Sequence, residues 1–173
     1  MTKPVWLLDV DGVINAVNLG TPSSKYWEDW LTFKGPIDLG LGFRIWFSPT
    51  VTKFIADTHN SGKAEVRWLT TWEQHAADHL AGPLELPELA LAGNRQLPDT
   101  LAWWKYNIAR EAIPDGVPLI WTDDDLAIEG RLVDGLTEWI KGRGPTLAIA
   151  PNPAHGLTKQ HLSMITDFLA EHV

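Results

Sequence analysis

The chain has 173 residues, a length that fits one domain with a sizeable buried core. Its 14 Lys and Arg against 22 Asp and Glu give a formal charge of −8, which argues against a broad basic face for duplex nucleic acid. With no cysteine at all, disulfides, thiolate metal sites and cysteine nucleophiles are excluded.

A composition of 45% hydrophobic and 21% charged residues is ordinary for a soluble globular protein. No stretch approaches the roughly 18 uncharged apolar residues of a membrane span. The opening MTKPVWLLDVDG carries aspartates where the apolar core of a signal peptide would continue. The expected location is cytoplasmic.

In chain order, Val5 to Leu8 form an apolar run suited to a buried strand, from whose end Asp9 and Asp11 emerge. Residues 16–46 are rich in Gly, Pro, Ser and aromatics, and the alternation in KYWEDWLTF and GFRIWF predicts a β-hairpin or flap. Ser48 and Pro49 open a helix with Val51, Phe54 and Ile55 on one face, ended near Gly62. AEVRWLTTW (64–72) reads as a second strand and EQHAADHLAG as a helix stopped by Gly82-Pro83. Residues 84–92 hold a short strand, and LPDTLAWWKYNIAREAI (97–113) a helix capped by Asp99 or Thr100. VPLIWTDDD is a strand ending in acid, with Asp125 as cap of the segment LAIEG. GLTEWIKGRG (a short helix), PTLAIAP (a strand) and LTKQHLSMITDFLAEHV (an amphipathic helix) complete the chain. This alternation predicts one α/β domain over residues 1–173, a Rossmann-like three-layer sandwich with a mainly parallel sheet and a hairpin flap.

Parallel strands deliver residues at their carboxyl ends to one edge of the sheet, where ligands gather in open α/β folds. The first strand brings Asp9 and Asp11 there, with Gly12 freeing the backbone to turn. The second brings Thr70 and Thr71, the third Asp123, Asp124 and Asp125, and Lys105 lies in the helix preceding it. Buried carboxylates need partners, so a cation and an anionic substrate suit the set. Plainer readings stand beside this one: an Asx-type turn after the first strand, Thr70 as a helix cap, Lys105 as a solvated helix residue.

The order of these motifs resembles the haloacid dehalogenase superfamily: DVDGV at Asp9–Val13, Thr70 after a hydrophobic strand, Lys105, then TDDD at Thr122–Asp125. The resemblance implies a Mg²⁺-dependent phosphomonoesterase in which Asp9 is the nucleophile and Asp11 the general acid and base. It also implies Mg²⁺ on Asp9, the backbone carbonyl of Asp11 and one of Asp123 or Asp124, with Lys105 and Thr70 facing the phosphoryl group. About 55 residues separate the first two motifs, taken up by the flap and a helix, which implies a member without a large cap and with an open site.

The layout around WLTTW and WTDDD is also similar to domains of this superfamily associated with RNA-repair proteins. The expected substrate is a nucleotide or nucleic-acid terminal phosphate; a small metabolite, or a non-catalytic binding module, is the alternative. Of the ten tryptophans, most are expected in the core, while Tyr26, Trp27 and Trp30 on the flap offer faces for a base. His75 and His79 have metal-pair spacing but no accompanying HExxH, so a solvated helix face is expected. Asn152 and His155 lie in a loop at the ligand end, to touch substrate or to shape the loop.

Overall fold

The computed structural model describes residues 2–18, 20–34, 44–95 and 103–173. Five parallel strands make the central sheet: β1 (Val5–Leu8), β4 (Glu65–Trp68), β5 (Ala90–Leu91), β6 (Leu119–Thr122) and β7 (Thr146–Ile149). Their spatial order is β5-β4-β1-β6-β7, every pairing parallel. β2 (Leu31–Lys34) and β3 (Arg44–Phe47) form a separate antiparallel pair, the predicted hairpin. The α-helices among the described residues are α1 (Pro49–Asn60), α2 (Trp104–Ala112), α3 (Leu126–Leu132), α4 (Leu136–Gly142) and α5 (Lys159–His172).

Side chains of a strand alternate between faces, and β1 is apolar at all four positions because both faces are covered. Trp6 and Leu8 join a core with Val51 and Ile55 of α1, Ile165 and Leu169 of α5, and Ile45 and Phe47 of the hairpin. Val5 and Leu7 join the opposite core with Trp104 and Ala109 of α2, Leu126 of α3, Leu136 of α4, and Leu119 and Trp121 of β6. This is the predicted three-layer α/β sandwich. Among the described residues, no helix is long and apolar enough to cross a membrane.

Several elements differ from their sequence readings. Hairpin pairing begins at Leu31 rather than near Lys25, because Trp27 and Asp29 are committed elsewhere. The Trp27 indole is buried and its Nε1 donates to the Leu157 carbonyl at 2.7 Å. Asp29 accepts from the Thr50 amide (3.0 Å) and from the hydroxyls of Ser48 and Thr50 (2.7 Å each). Ser48 holds the N-cap position of α1 without a side-chain cap bond, so Asp29 satisfies an amide that every helix start leaves open.

The second strand stops at Trp68, and Thr70–Trp72 leave the sheet as a turn. The helix expected over EQHAADHLAG is instead centred on a π-helical turn, Ala76–Leu80. Its wider coil sets Ala76, Leu80, Ala81 and Leu84 all against the core, and the His75 and His79 rings stack on its exposed side with centroids 5.6 Å apart. In the segment 97–113 the described helix begins at Trp104; Asp99 and Thr100 lie outside the described residues. Asp125 occupies the N-cap of α3 but makes no side-chain cap bond. Its own amide donates to Asp123 Oδ1 (3.1 Å), so the acidic run folds into an Asx turn.

Burial raises the Asp29 pKa, but the hydroxyls of Thr50 and Ser48 and the Thr50 amide outweigh it and the net value is lowered. A lowered folded-state pKa stabilises above the unfolded value, and the gain is lost as pH falls through the folded one. Asp29→Ala is expected to cost about 1 kcal/mol at neutral pH, or about 2–4 °C in Tm for a chain of this size. Thermal melts should show that gap closing below about pH 4.

Candidate active site

The ends of β1, β4 and β6 are level, since Leu8 pairs with both Trp68 and Thr122. The next residue of β1 is Asp9, whose amide donates to the Thr122 carbonyl at 3.1 Å. The next residue of β6 is Asp123, whose amide donates to the Ile149 carbonyl at 3.1 Å. The chain builds β4 and β5 on one side of β1 and then returns to place β6 and β7 on the other. Asp9 and Asp123 therefore flank the point where strand order reverses, the usual ligand crevice of such a sheet.

Parity sets their direction. Asp9 continues the face of Val5 and Leu7, and Asp123 the face of Leu119 and Trp121, which is the face covered by α2. From the first turn of α2 comes Lys105, 1% exposed, between buried Trp104 and Tyr106. Its Nζ donates to Asp9 Oδ2 at 2.6 Å and to Asp123 Oδ2 at 2.7 Å. The ammonium also lies 5.7 Å from the ring centre of Trp103 and 5.9 Å from that of Trp104, within cation–π range. The solvated-helix reading of Lys105 does not hold.

Asp9 Oδ1 accepts from the Val10 amide at 2.7 Å, and the nearby Thr70 hydroxyl also favours the charged form of this carboxylate. Thr70 serves its own turn too, its Oγ1 accepting from the Trp72 amide at 3.3 Å. Cap and site partner are thus the same hydroxyl. Thr71 is exposed. Thr122 is buried and turned to the sheet, with Trp6 Nε1 donating to its Oγ1 at 2.9 Å.

Asp124 completes the acidic set. Gly12, at φ +71°, has no Cβ, and a Cβ there would collide with the Asp124 carboxyl. Any other residue at this position would displace Asp124 or strain the backbone. Ligand oxygens of Asp9, Asp123 and Asp124 all lie within 4.8 Å of one another. Three carboxylates against one lysine leave a formal charge of −2, which a hard dication with oxygen preference matches. The three carboxylates could thus hold a divalent metal ion.

Burial raises the Asp9 pKa more than Lys105, Thr70 and the Val10 amide lower it. Burial and then the Asp9 charge push Asp123 well above its ordinary value, against the pull of Lys105. Burial, Asp125 and Asp9 raise Asp124 to about 6. For Lys105 burial disfavours the charge, but Asp123 and Asp9 more than reverse this and its pKa is raised. It stays an ammonium.

Asp11 stands apart from this cluster. Its Oδ1 accepts from Asn15 Nδ2 at 2.7 Å and its Oδ2 from Trp72 Nε1 at 2.8 Å. Neither Asn15 nor Trp72 stood out in the sequence as a partner of Asp11; the spacing Asp11-x-x-x-Asn15 was the only local signal for one of them. On the flap, Trp27 is buried, Trp30 is half-buried with Nε1 bonded to the Ser23 carbonyl (3.1 Å), and Tyr26 stacks on His155 with centroids 4.0 Å apart. Asn152 shapes its loop, with Oδ1 accepting from the Ala154 amide at 3.0 Å.

The chain matches no protein-family model, no curated protein and no solved structure.

A raised carboxylate pKa in the folded state penalises folding once pH exceeds the unfolded value, and the penalty is complete above the folded one. In chelator, Asp124→Asn should therefore raise Tm by a few degrees above about pH 6. The gain should vanish below the ordinary value of 3.8. Mg²⁺ should raise the wild-type Tm and raise that of Asp124→Asn distinctly less. Thermal melts with and without Mg²⁺ across pH check all three outcomes.

Proposed function

We propose that this chain is a Mg²⁺-dependent phosphomonoesterase working through an aspartyl-phosphate on Asp9. The observation that carries the reading is the buried Lys105, bonded at once to Asp9 and Asp123 at the crevice of the sheet. A lysine this deep is costly unless paired, and here it couples the two residues that the resemblance makes nucleophile and metal ligand. The motif order DVDGV, Thr70, Lys105 and TDDD supports the same assignment.

Asp9, Asp123 and Asp124, with the backbone carbonyl of Asp11, would hold the Mg²⁺. When bound, the ion offsets charge on the phosphoryl oxygens. In the first step an Asp9 carboxylate oxygen attacks phosphorus, the bond from phosphorus to the leaving oxygen breaks, and Asp11 gives that oxygen its proton. In the second, Asp11 takes a proton from water as the water oxygen attacks phosphorus. The bond to Asp9 breaks, releasing phosphate and restoring both residues. Lys105 holds Asp9 in place and offsets the charge gathered there. The Thr70 hydroxyl, beside Asp9, would donate to a phosphoryl oxygen.

A nucleotide or nucleic-acid terminal phosphate remains the first substrate reading, as the open, uncapped layout suggests. A small-metabolite phosphatase is favoured by one observation: the three flap aromatics are already partnered, Trp27 with Leu157, Trp30 with Ser23 and Tyr26 with His155. A non-catalytic binding module would need neither Asp9 nor Asp11 as an acid free for chemistry.

Wild-type protein with Mg²⁺ is expected to hydrolyse 4-nitrophenyl phosphate, and Asp9→Asn to lose that turnover. Asp11→Asn should fall by about 10²–10⁴-fold. No turnover of any phosphomonoester with any divalent metal would leave the binding module standing. A panel of mononucleotides, 3′- and 5′-phosphorylated oligonucleotides and sugar phosphates then sorts substrates; a preference for sugar phosphates sinks the nucleic-acid reading.

A further inference from the structure

The second aspartate of the opening motif, Asp11, is held by hydrogen bonds from two sides. After β4 the chain runs Thr70-Thr71-Trp72, and the Trp72 indole donates to Asp11 Oδ2 at 2.8 Å. The other oxygen of Asp11 is held from the opposite direction, by Asn15 Nδ2 at 2.7 Å. Asn15 is 6% exposed and cannot flip its amide without loss, because its Oδ1 accepts from the Trp46 amide of β3 at 2.9 Å. Its NH₂ is therefore committed to Asp11. The Trp72 indole, 9% exposed, can only donate. Both neighbours donate to the carboxylate, one to each oxygen, and so fix its orientation.

Asp11 itself is half-buried at a turn, where an unheld side chain samples several rotamers. A group that must meet the leaving oxygen and then a water needs a fixed position, since a misplacement of about 1 Å costs about 10²-fold. From this geometry we infer that Trp72 and Asn15 are positioning residues for proton transfer by Asp11. The pair is a two-sided clamp that ties Asp11 to the β4 turn on one side and to the flap strand β3 on the other. The inference rests on the phosphatase reading of the site.

The test compares leaving groups on the full-length protein with Mg²⁺. Nitrophenolate departs without a proton, whereas the alkoxide of glycerol 2-phosphate requires one. Trp72→Phe keeps the ring's bulk and removes the N–H. Its kcat/KM for glycerol 2-phosphate should fall about tenfold further than for 4-nitrophenyl phosphate, with Asp11→Asn showing the same split in larger measure. Loss of packing alone would lower both substrates together. Should Trp72→Phe fail to fold, Asn15→Ala reads the same ratio. Equal losses on the two substrates, or no loss, overturn the clamp while leaving an active wild type's phosphatase assignment intact. A wild type inactive on both substrates overturns the phosphatase assignment and the clamp with it.

Discussion

The ammonium of Lys105, shared between Asp9 and Asp123 beneath two indole rings, is the contact on which the site depends. A buried ion pair is weak evidence for stability, because desolvation often exceeds the attraction and a well-packed apolar pair would serve as well. Removing one member is another matter, costing roughly 3–5 kcal/mol by stranding the other charges. The cluster thus locks in its own composition. Once Lys105 lies between Asp9 and Asp123, losing any one of the three strands the others, and Asp124 beside them completes a group that could hold a metal ion.

The backbone brings these groups together with little adjustment. β1 and β6 are neighbours in parallel register, so the residues following each emerge level at one edge. Strand parity then turns Asp9 and Asp123 toward α2 rather than toward α1 and α5. Gly12 leaves room for Asp124 against the turn. The long stem of Lys105 crosses the apolar layer between helix and sheet, as lysine methylenes can, and delivers only its head to the carboxylates.

Around this centre the loops brace one another instead of hanging free. The Ala16 amide donates to the Trp46 carbonyl at 2.8 Å, linking the turn after β1 to the flap. Leu157 N donates to the Val13 carbonyl at 2.8 Å, and Gly156, at φ +62°, lies so close to that carbonyl that a Cβ would strike it. Asp29 draws the flap's base onto the start of α1. The flap strand β3 is tied to the turn after β1 through Asn15, whose Oδ1 accepts from the Trp46 amide.

The sequence by itself determined the sheet, its covered faces and the roll of polar residues at strand ends, since hydrophobic runs and turn residues act locally. It marked Asp9, Thr70, Lys105, Asp123 and Asp124, which the fold indeed gathers. Only the tertiary structure decided what each touches. Lys105 reads as an ordinary helix lysine until α2 packs over β1 and β6, and Asp11 reads as a partner of Asp9 until Trp72 and Asn15 claim its oxygens. The partner of Trp27 and the cap of α1 escaped sequence reasoning for a common reason. Each is set by contacts between residues far apart in the chain, such as Trp27 with Leu157 and Asp29 with Thr50, and local pattern carries no record of such partners.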